Sequence, residues 1–203
     1  MSQKASGYER IEGDAYFTPH WVTEALLSVE RFSVGVKIID PCAGAGHIMD
    51  AVAKAGYDFD GFDIRPAAVH VRGPMDFLTT VGDVDAIISN PPYGKGGRLA
   101  VEFITKALSV TQKRRGKVAM LLRVDFDSAA TRSHIFGDHP AFAAKYTLTK
   151  RIRWANIPQV DENGKPTPGP TDNHSWFVWN WSRRRDEQRY YGYLPLKQEN
   201  ASP

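Results

Sequence analysis

The chain has 203 residues, of which 42% are hydrophobic and 24% charged, with a formal net charge of +3. This is enough for one domain with a sizeable core and excludes a collagen, a coiled coil or a disordered chain. No apolar run approaches the roughly 18 residues of a membrane span, residues 1–14 lack a signal-peptide core, and a lone Cys42 leaves no internal disulfide or cysteine metal cluster, all of which favours the cytoplasm.

The first helix is expected to open at Thr18 as its cap with Pro19 in its first turn, because Val22, Ala25, Leu26 and Val29 then share one face. Residues 36–40 read as a buried strand ending on Asp40, and Pro41-Cys42-Ala43-Gly44-Ala45-Gly46 as a tight turn. A helix over 47–55, stopped by Gly56, is followed by a strand over 57–63 ending on Asp63. The strand at 84–89 runs straight into Asn90-Pro91-Pro92-Tyr93, and a helix at 97–110 and a strand at 117–123 complete the alternation. Such alternation predicts an α/β domain with a mostly parallel central sheet and ligands at the carboxyl ends of its strands, where Asp40, Asp63 and Asn90 fall. The last third differs. Strands at 145–154 and 174–182 predict a C-terminal antiparallel hairpin joined by a mobile loop, 155–173, rich in Pro, Gly and Asp. In the second strand Phe177, Trp179 and Trp181 face one way and Trp176 and Val178 the other, which implies burial on both sides. Residues 1–15 are expected as an extension, 16–193 as the domain and 194–203 as a frayed tail.

The charge is unevenly placed. Residues 1–92 hold 7 Lys and Arg against 13 Asp and Glu, a net −6, and residues 93–203 hold 19 against 10, a net +9. A basic half suits an anionic partner such as a nucleic acid, and equally a solvated face. Gly44-Ala45-Gly46 fails as a dinucleotide fingerprint because the third glycine would fall at Met49, and Gly94-Lys95-Gly96-Gly97 lacks the spacing of a phosphate-binding loop. Asp125 and Asp127 read as a capped turn rather than a metal site, and Cys42 as a small packing residue rather than a nucleophile.

Asn90-Pro91-Pro92-Tyr93 after an apolar strand, downstream of Phe17-Thr18-Pro19 and of the Asp40 to Gly46 turn, resembles the S-adenosylmethionine-dependent DNA adenine-N6 methyltransferases in their gamma motif order, in a compact, phage-type form. The resemblance implies a Rossmann-like class I methyltransferase fold. The chemistry is consistent with these residue types. An exocyclic amine reacts once its lone pair is freed from the ring, and two acceptors aimed at its hydrogens, the Asn90 side-chain oxygen and the Pro91 carbonyl, draw it toward tetrahedral geometry. The prolines hold those acceptors in place. No metal and no strong base are needed.

The resemblance further implies that Pro92 and Tyr93 complete the catalytic motif, with Tyr93 stacking on a flipped-out adenine. It implies cofactor contacts from Phe17, Thr18, Pro19, Asp40, Pro41, Cys42, Ala43, Gly44, Gly46, Asp63, Ile64, Asp76, Phe77 and Asn90. Here Asp40 faces the cofactor's amino group, Asp63 its ribose, and Ile64, Asp76 and Phe77 its adenine. Lys95 and Arg98 are candidate phosphate contacts, and Trp154, at a hairpin mouth, a cover for the far face of the base. Lys113, Arg114, Arg115 and Lys117 are a solvated connector or phosphate contacts, and Arg151-Ile152-Arg153-Trp154 and Arg183-Arg184-Arg185 mix cations with aromatics as nucleic-acid surfaces do. The expected polymer is double-stranded DNA, with RNA as the second candidate and no membrane. Only 155–173 and 125–146 are left for base readout, so the expectation is short-sequence specificity, or a specificity partner or homodimer that supplies it. The alternatives are an RNA or protein-glutamine amino-methyltransferase and, from another class, a catalytically silent nucleic-acid-binding module.

Overall fold

A computed structural model describes residues 12–80, 82–161 and 163–194 of the chain. Seven strands form one sheet: β1 (Lys37–Asp40), β2 (Asp58–Gly61), β3 (Ala86–Ser89), β4 (Lys117–Arg123), β5 (Phe142–Leu148), β6 (His174–Asn180) and β7 (Tyr190–Leu194), in the spatial order β2-β1-β3-β4-β6-β5-β7. β6 alone runs against the other six, antiparallel to both β4 and β5. The mostly parallel sheet with an antiparallel C-terminal hairpin is therefore as expected.

Four α-helices cover the two faces: α1 (His20–Val29), α2 (His47–Lys54), α3 (Phe77–Thr80) and α4 (Arg98–Gln112). The strand residues alternate between two cores. Ile38, Ile88, Leu121, Trp176 and Val178 pack with α1 and α2. Ile87, Met120, Phe177 and Trp179 pack with α3 and α4, and Trp181 lies partly buried on that side. The two-faced burial predicted for β6 is thus realised. Each buried indole also finds an acceptor: Trp176 Nε1 donates to the Val22 carbonyl at 2.9 Å, and Trp179 Nε1 to the Ile135 carbonyl at 2.6 Å.

Several boundaries differ from expectation. α1 begins at His20 with Pro19 at the cap position, and Thr18 is buried and makes no cap bond. β2 ends at Gly61, so Asp63 lies two residues beyond it in a loop that carries an isolated parallel bridge between Phe62 and Arg72. β5 starts at Phe142 and ends at Leu148, which leaves residues 151–154 outside the strand. The 155–173 segment, expected as a mobile loop, is laced by its own bonds: Asp161 Oδ1 accepts from the Asn163 and Lys165 amides, and Thr167 Oγ1 donates to the Pro158 carbonyl. β7 was not anticipated. Tyr190 to Leu194 add an edge strand parallel to β5, so Leu194 is buried in the sheet instead of beginning a tail. The rest of that expected tail, 195–203, and residues 1–11 of the expected extension lie outside the described residues.

Order reverses at β1, with β2 on one side and β3 on the other. In open α/β sheets the crevice beyond the carboxyl ends of such a pair is where ligands bind. Asp40 and Asn90 stand on its two sides.

Candidate active site

That crevice holds a cavity of about 400 Å³. Its wall is built from residues 13–18, the turn after β1, the loop after β2, the start of α3, and Asn90 and Pro92 after β3.

Asp40 ends β1 almost fully buried. Its Oδ1 accepts from the Cys42 amide at 3.0 Å and from Ser89 Oγ at 2.8 Å, while its Oδ2 is buried with no partner among the described residues. Burial pushes this carboxyl up to about 7, against the lowering pull of the Ser89 and Cys42 bonds. Burial also raises the neighbouring Cys42 thiol well above its usual value, which fits a packing role rather than a nucleophile.

The turn from β1 to α2 requires its glycines. Gly44 has φ +52°, and a Cβ there would sit 3.2 Å from the Phe17 ring. Gly46 has φ +88°, and its Cβ would collide with His70. Asp63 ties this turn down: its Oδ2 accepts from the Gly44 amide at 2.9 Å and its Oδ1 from the Arg65 amide at 2.8 Å. Asp76 lines the cavity and also caps α3, accepting from the Leu78 amide at 2.9 Å.

Asn90 Nδ2 donates to the Tyr16 carbonyl at 3.1 Å. A carbonyl only accepts, so the amide nitrogen faces Tyr16 and the oxygen points away from it, with no protein donor among the described residues. The next amides, Tyr93 and Gly94, both donate to Asp14 Oδ2, at 3.0 and 2.9 Å. Tyr93 is anchored at its tip, where its hydroxyl accepts from the Arg123 amide at 2.6 Å, and at its edge against Phe126, with ring centroids 5.7 Å apart. Burial raises its phenol, so it stays protonated. Arg132 braces the following glycine loop, donating to the Gly96 carbonyl at 3.0 Å with its guanidinium over the Phe126 ring.

Of the residues anticipated from sequence, Phe17, Thr18, Asp40, Pro41, Cys42, Ala43, Gly44, Asp63, Ile64, Asp76, Phe77, Asn90 and Pro92 all line this one cavity. Pro19, Gly46, Pro91, Tyr93, Lys95, Arg98 and Trp154 do not. Trp154 is 7% exposed, wedged between Tyr16 and His174 in the core, and is not placed to cover a base. The expected phosphate-facing cations divide as well. Lys113, Arg114 and Lys117 are paired with Asp83, Asp85 and Glu30. Arg183, Arg184 and Arg185 follow Asn180, which pairs with Lys117 at the opposite end of the sheet from Asn90. Asp127 is held by Lys145 at 2.8 Å, beside the turn expected at that point. Asp14, Tyr16, Asn156 and Arg132 are among the site residues that sequence reasoning missed. None belongs to a motif, and the contacts that place Asp14, Tyr16 and Asn156 span 74 to 141 residues of chain.

No protein-family model matches the sequence, and no curated protein matches it. Solved structures do resemble it. A modification subunit attributed to a type I restriction enzyme of Vibrio vulnificus superposes with a TM-score of 0.60 at 13% identity, over 93% of this chain and 49% of its own. The M protein of the EcoKI type I restriction enzyme gives 0.56 at 14% identity, over 81% and 44%. A Pyrococcus horikoshii protein to which an RNA methyltransferase role is ascribed gives 0.54 at 16% identity, over 79% and 80%. The chain spans about half the length of the two restriction subunits. It has the class I methyltransferase fold. Among the described residues, no helix is long and apolar enough to cross a membrane.

Proposed function

We propose that the chain is an S-adenosylmethionine-dependent methyltransferase of exocyclic amines, acting on the N6 amino group of adenine in DNA. The observation that carries this reading is the setting of Asn90. Its amide nitrogen is bound to Tyr16, and its oxygen is left for a substrate amine at the rim of a cavity of cofactor size. The restriction-subunit neighbours support DNA as the polymer.

The wall fits the cofactor on its own terms. Asp40 offers a buried, unpartnered carboxylate oxygen to an ammonium group. Gly44 lets backbone approach closely, and Asp63 keeps spare lone pairs for hydroxyl donors. Phe77 and the half-exposed Ile64 supply apolar surface. When bound, the cofactor supplies an electrophilic methyl group.

The chain's own residues orient and exclude. Asn90 and the Pro91 carbonyl accept from the two amino hydrogens, so the nitrogen lone pair turns toward the methyl. Transfer would make one C–N bond and break the methyl's bond to sulfur, whose electron pair stays on sulfur, and the ammonium so formed would shed a proton to water. Rate comes from holding the amine in line. A base inside a duplex does not reach this rim and must flip out; stacking on an aromatic such as Tyr93 returns roughly 1–3 kcal/mol of that cost.

The test is labelled S-adenosylmethionine offered with DNA, RNA and protein, followed by digestion of the products. N6-methyladenine from DNA is the expected product. Label in RNA or protein alone would move the substrate, and a chain that binds no cofactor by calorimetry would be a silent binding module.

A further inference from the structure

The amide of Asn90 does only half its work alone: the direction of its oxygen is set by what holds its nitrogen. That partner is the Tyr16 carbonyl, in a segment with no helix or strand of its own. The structure holds Tyr16 from a distant part of the chain. Asn156 Nδ2 donates to the Ala15 carbonyl at 2.7 Å, and its Oδ1 accepts from the Phe17 amide at 3.1 Å. With one bond donated and one accepted, the Asn156 amide has one orientation. The Ala155 amide adds a bond to the Phe17 carbonyl at 2.9 Å. Trp154, buried, packs against the Tyr16 ring at 5.4 Å between centroids. Three successive residues at the mouth of the 155–173 loop therefore pin the residues on both sides of Tyr16, and its ring.

We propose that Asn156 is a positioning residue for Asn90: it fixes Tyr16 from both flanks, so that the Tyr16 carbonyl holds the Asn90 amide with its oxygen toward the substrate amine. This rests on the proposed catalytic role of Asn90. It also makes the 155–173 loop more than a candidate surface for base readout.

The prediction is specific. Asn156→Ala removes both bonds to the segment, and a displacement of about 1 Å at a reacting group costs on the order of 100-fold in rate. The expected result is a kcat lower by about 10- to 100-fold, with a smaller loss of cofactor affinity, since Phe17 also lines the cavity. Asn156→Asp keeps the bond from the Phe17 amide but sets a carboxylate against the Ala15 carbonyl, and should lose rate in the same way. A readout independent of turnover is the side-chain amide signal of Asn90 in a 15N spectrum, assigned by its disappearance in Asn90→Asp. In Asn156→Ala this signal should shift and its protons exchange faster. An unchanged Asn90 signal together with an unchanged kcat overturns the inference, even where Asn90→Ala is inactive and the functional reading stands. Conversely, a wild-type chain that methylates nothing overturns the functional reading, while the amide signal still decides whether Asn156 orients Asn90. Thermal melting of each variant identifies one that has lost its fold, and the Asn156→Asp chain then carries the test.

Discussion

Ser89 Oγ donates to Asp40 Oδ1 at 2.8 Å across the switch between β3 and β1. That oxygen also accepts from the Cys42 amide, while Oδ2 is buried without a partner among the described residues. The Ser89 bond also ties the strand that leads into Asn90 to the strand that ends on Asp40.

The carboxyl of Asp40, raised to about 7 by burial, makes ligand affinity depend on pH. A bound cation favours the ionised form, so affinity for S-adenosylmethionine should rise with pH up to about 7 and level off above it, with proton uptake or release visible in calorimetry across buffers of different ionisation enthalpy. The linkage to folding has the opposite slope. A raised folded-state value means the native state holds the proton longer, so this group's penalty is absent below the unfolded value of 3.8 and complete above about 7. Relative to Asp40→Asn, the wild-type chain should lose stability to denaturant between pH 4 and pH 8 while binding cofactor more tightly at pH 8.

Asn90 and Asp63 should separate turnover from binding. Asn90→Ala removes an acceptor for the amine and is expected to abolish methyl transfer with cofactor affinity largely kept. Asp63→Ala releases the Gly44 and Arg65 amides at once and is expected to weaken cofactor binding at least tenfold, equal to about 1.4 kcal/mol. Calorimetry beside a single-turnover assay checks both, and wild-type rates in Asn90→Ala would overturn the mechanism.

Tyr93 divides into ring and hydroxyl. Tyr93→Phe loses only the acceptor for the Arg123 amide and should cost roughly 1–2 kcal/mol of stability while retaining activity. Tyr93→Ala removes the ring itself and should depress turnover on duplex DNA more than on a substrate whose target base is already unpaired. Denaturation curves and the duplex-to-mismatch rate ratio measure the two effects.

Much of the site was legible because its signals are local. Glycines with positive φ, acids at strand ends and Asn-Pro-Pro after an apolar run each report a turn at a carboxyl edge, and thirteen of the anticipated residues share the cavity. Trp154 was expected at a hairpin mouth because the strand reads through to it in sequence; β5 ends at Leu148, and the chain then turns the indole into the core. β7 escaped because Tyr190, Tyr191 and Tyr193 flank a glycine and remain largely exposed, as an edge strand allows. Asp14 and Asn156 were invisible for a different reason. Asp14 ends a short 3-10 helix and Asn156 lies in a turn, and each is a single polar residue that meets backbone groups brought near by the fold.

The distribution of cations has a consequence for counterion release. Residues 93–203 carry 19 Lys and Arg, yet Lys113, Arg114, Lys117 and Arg184 are bound to acids, and Arg183 to Arg185 leave the sheet at the end remote from Asn90. Lys95, Arg98, Arg132, Lys150, Arg151 and Arg153 follow the carboxyl ends of β3, β4 and β5 and have no acid partner among the described residues. Duplex binding there should displace only the ions matched to such a minority. A plot of log affinity against log salt is expected to have a slope of roughly −5 to −6, shallower than the basic half suggests, so the complex should persist at ionic strengths that would dissolve one held by the whole charge.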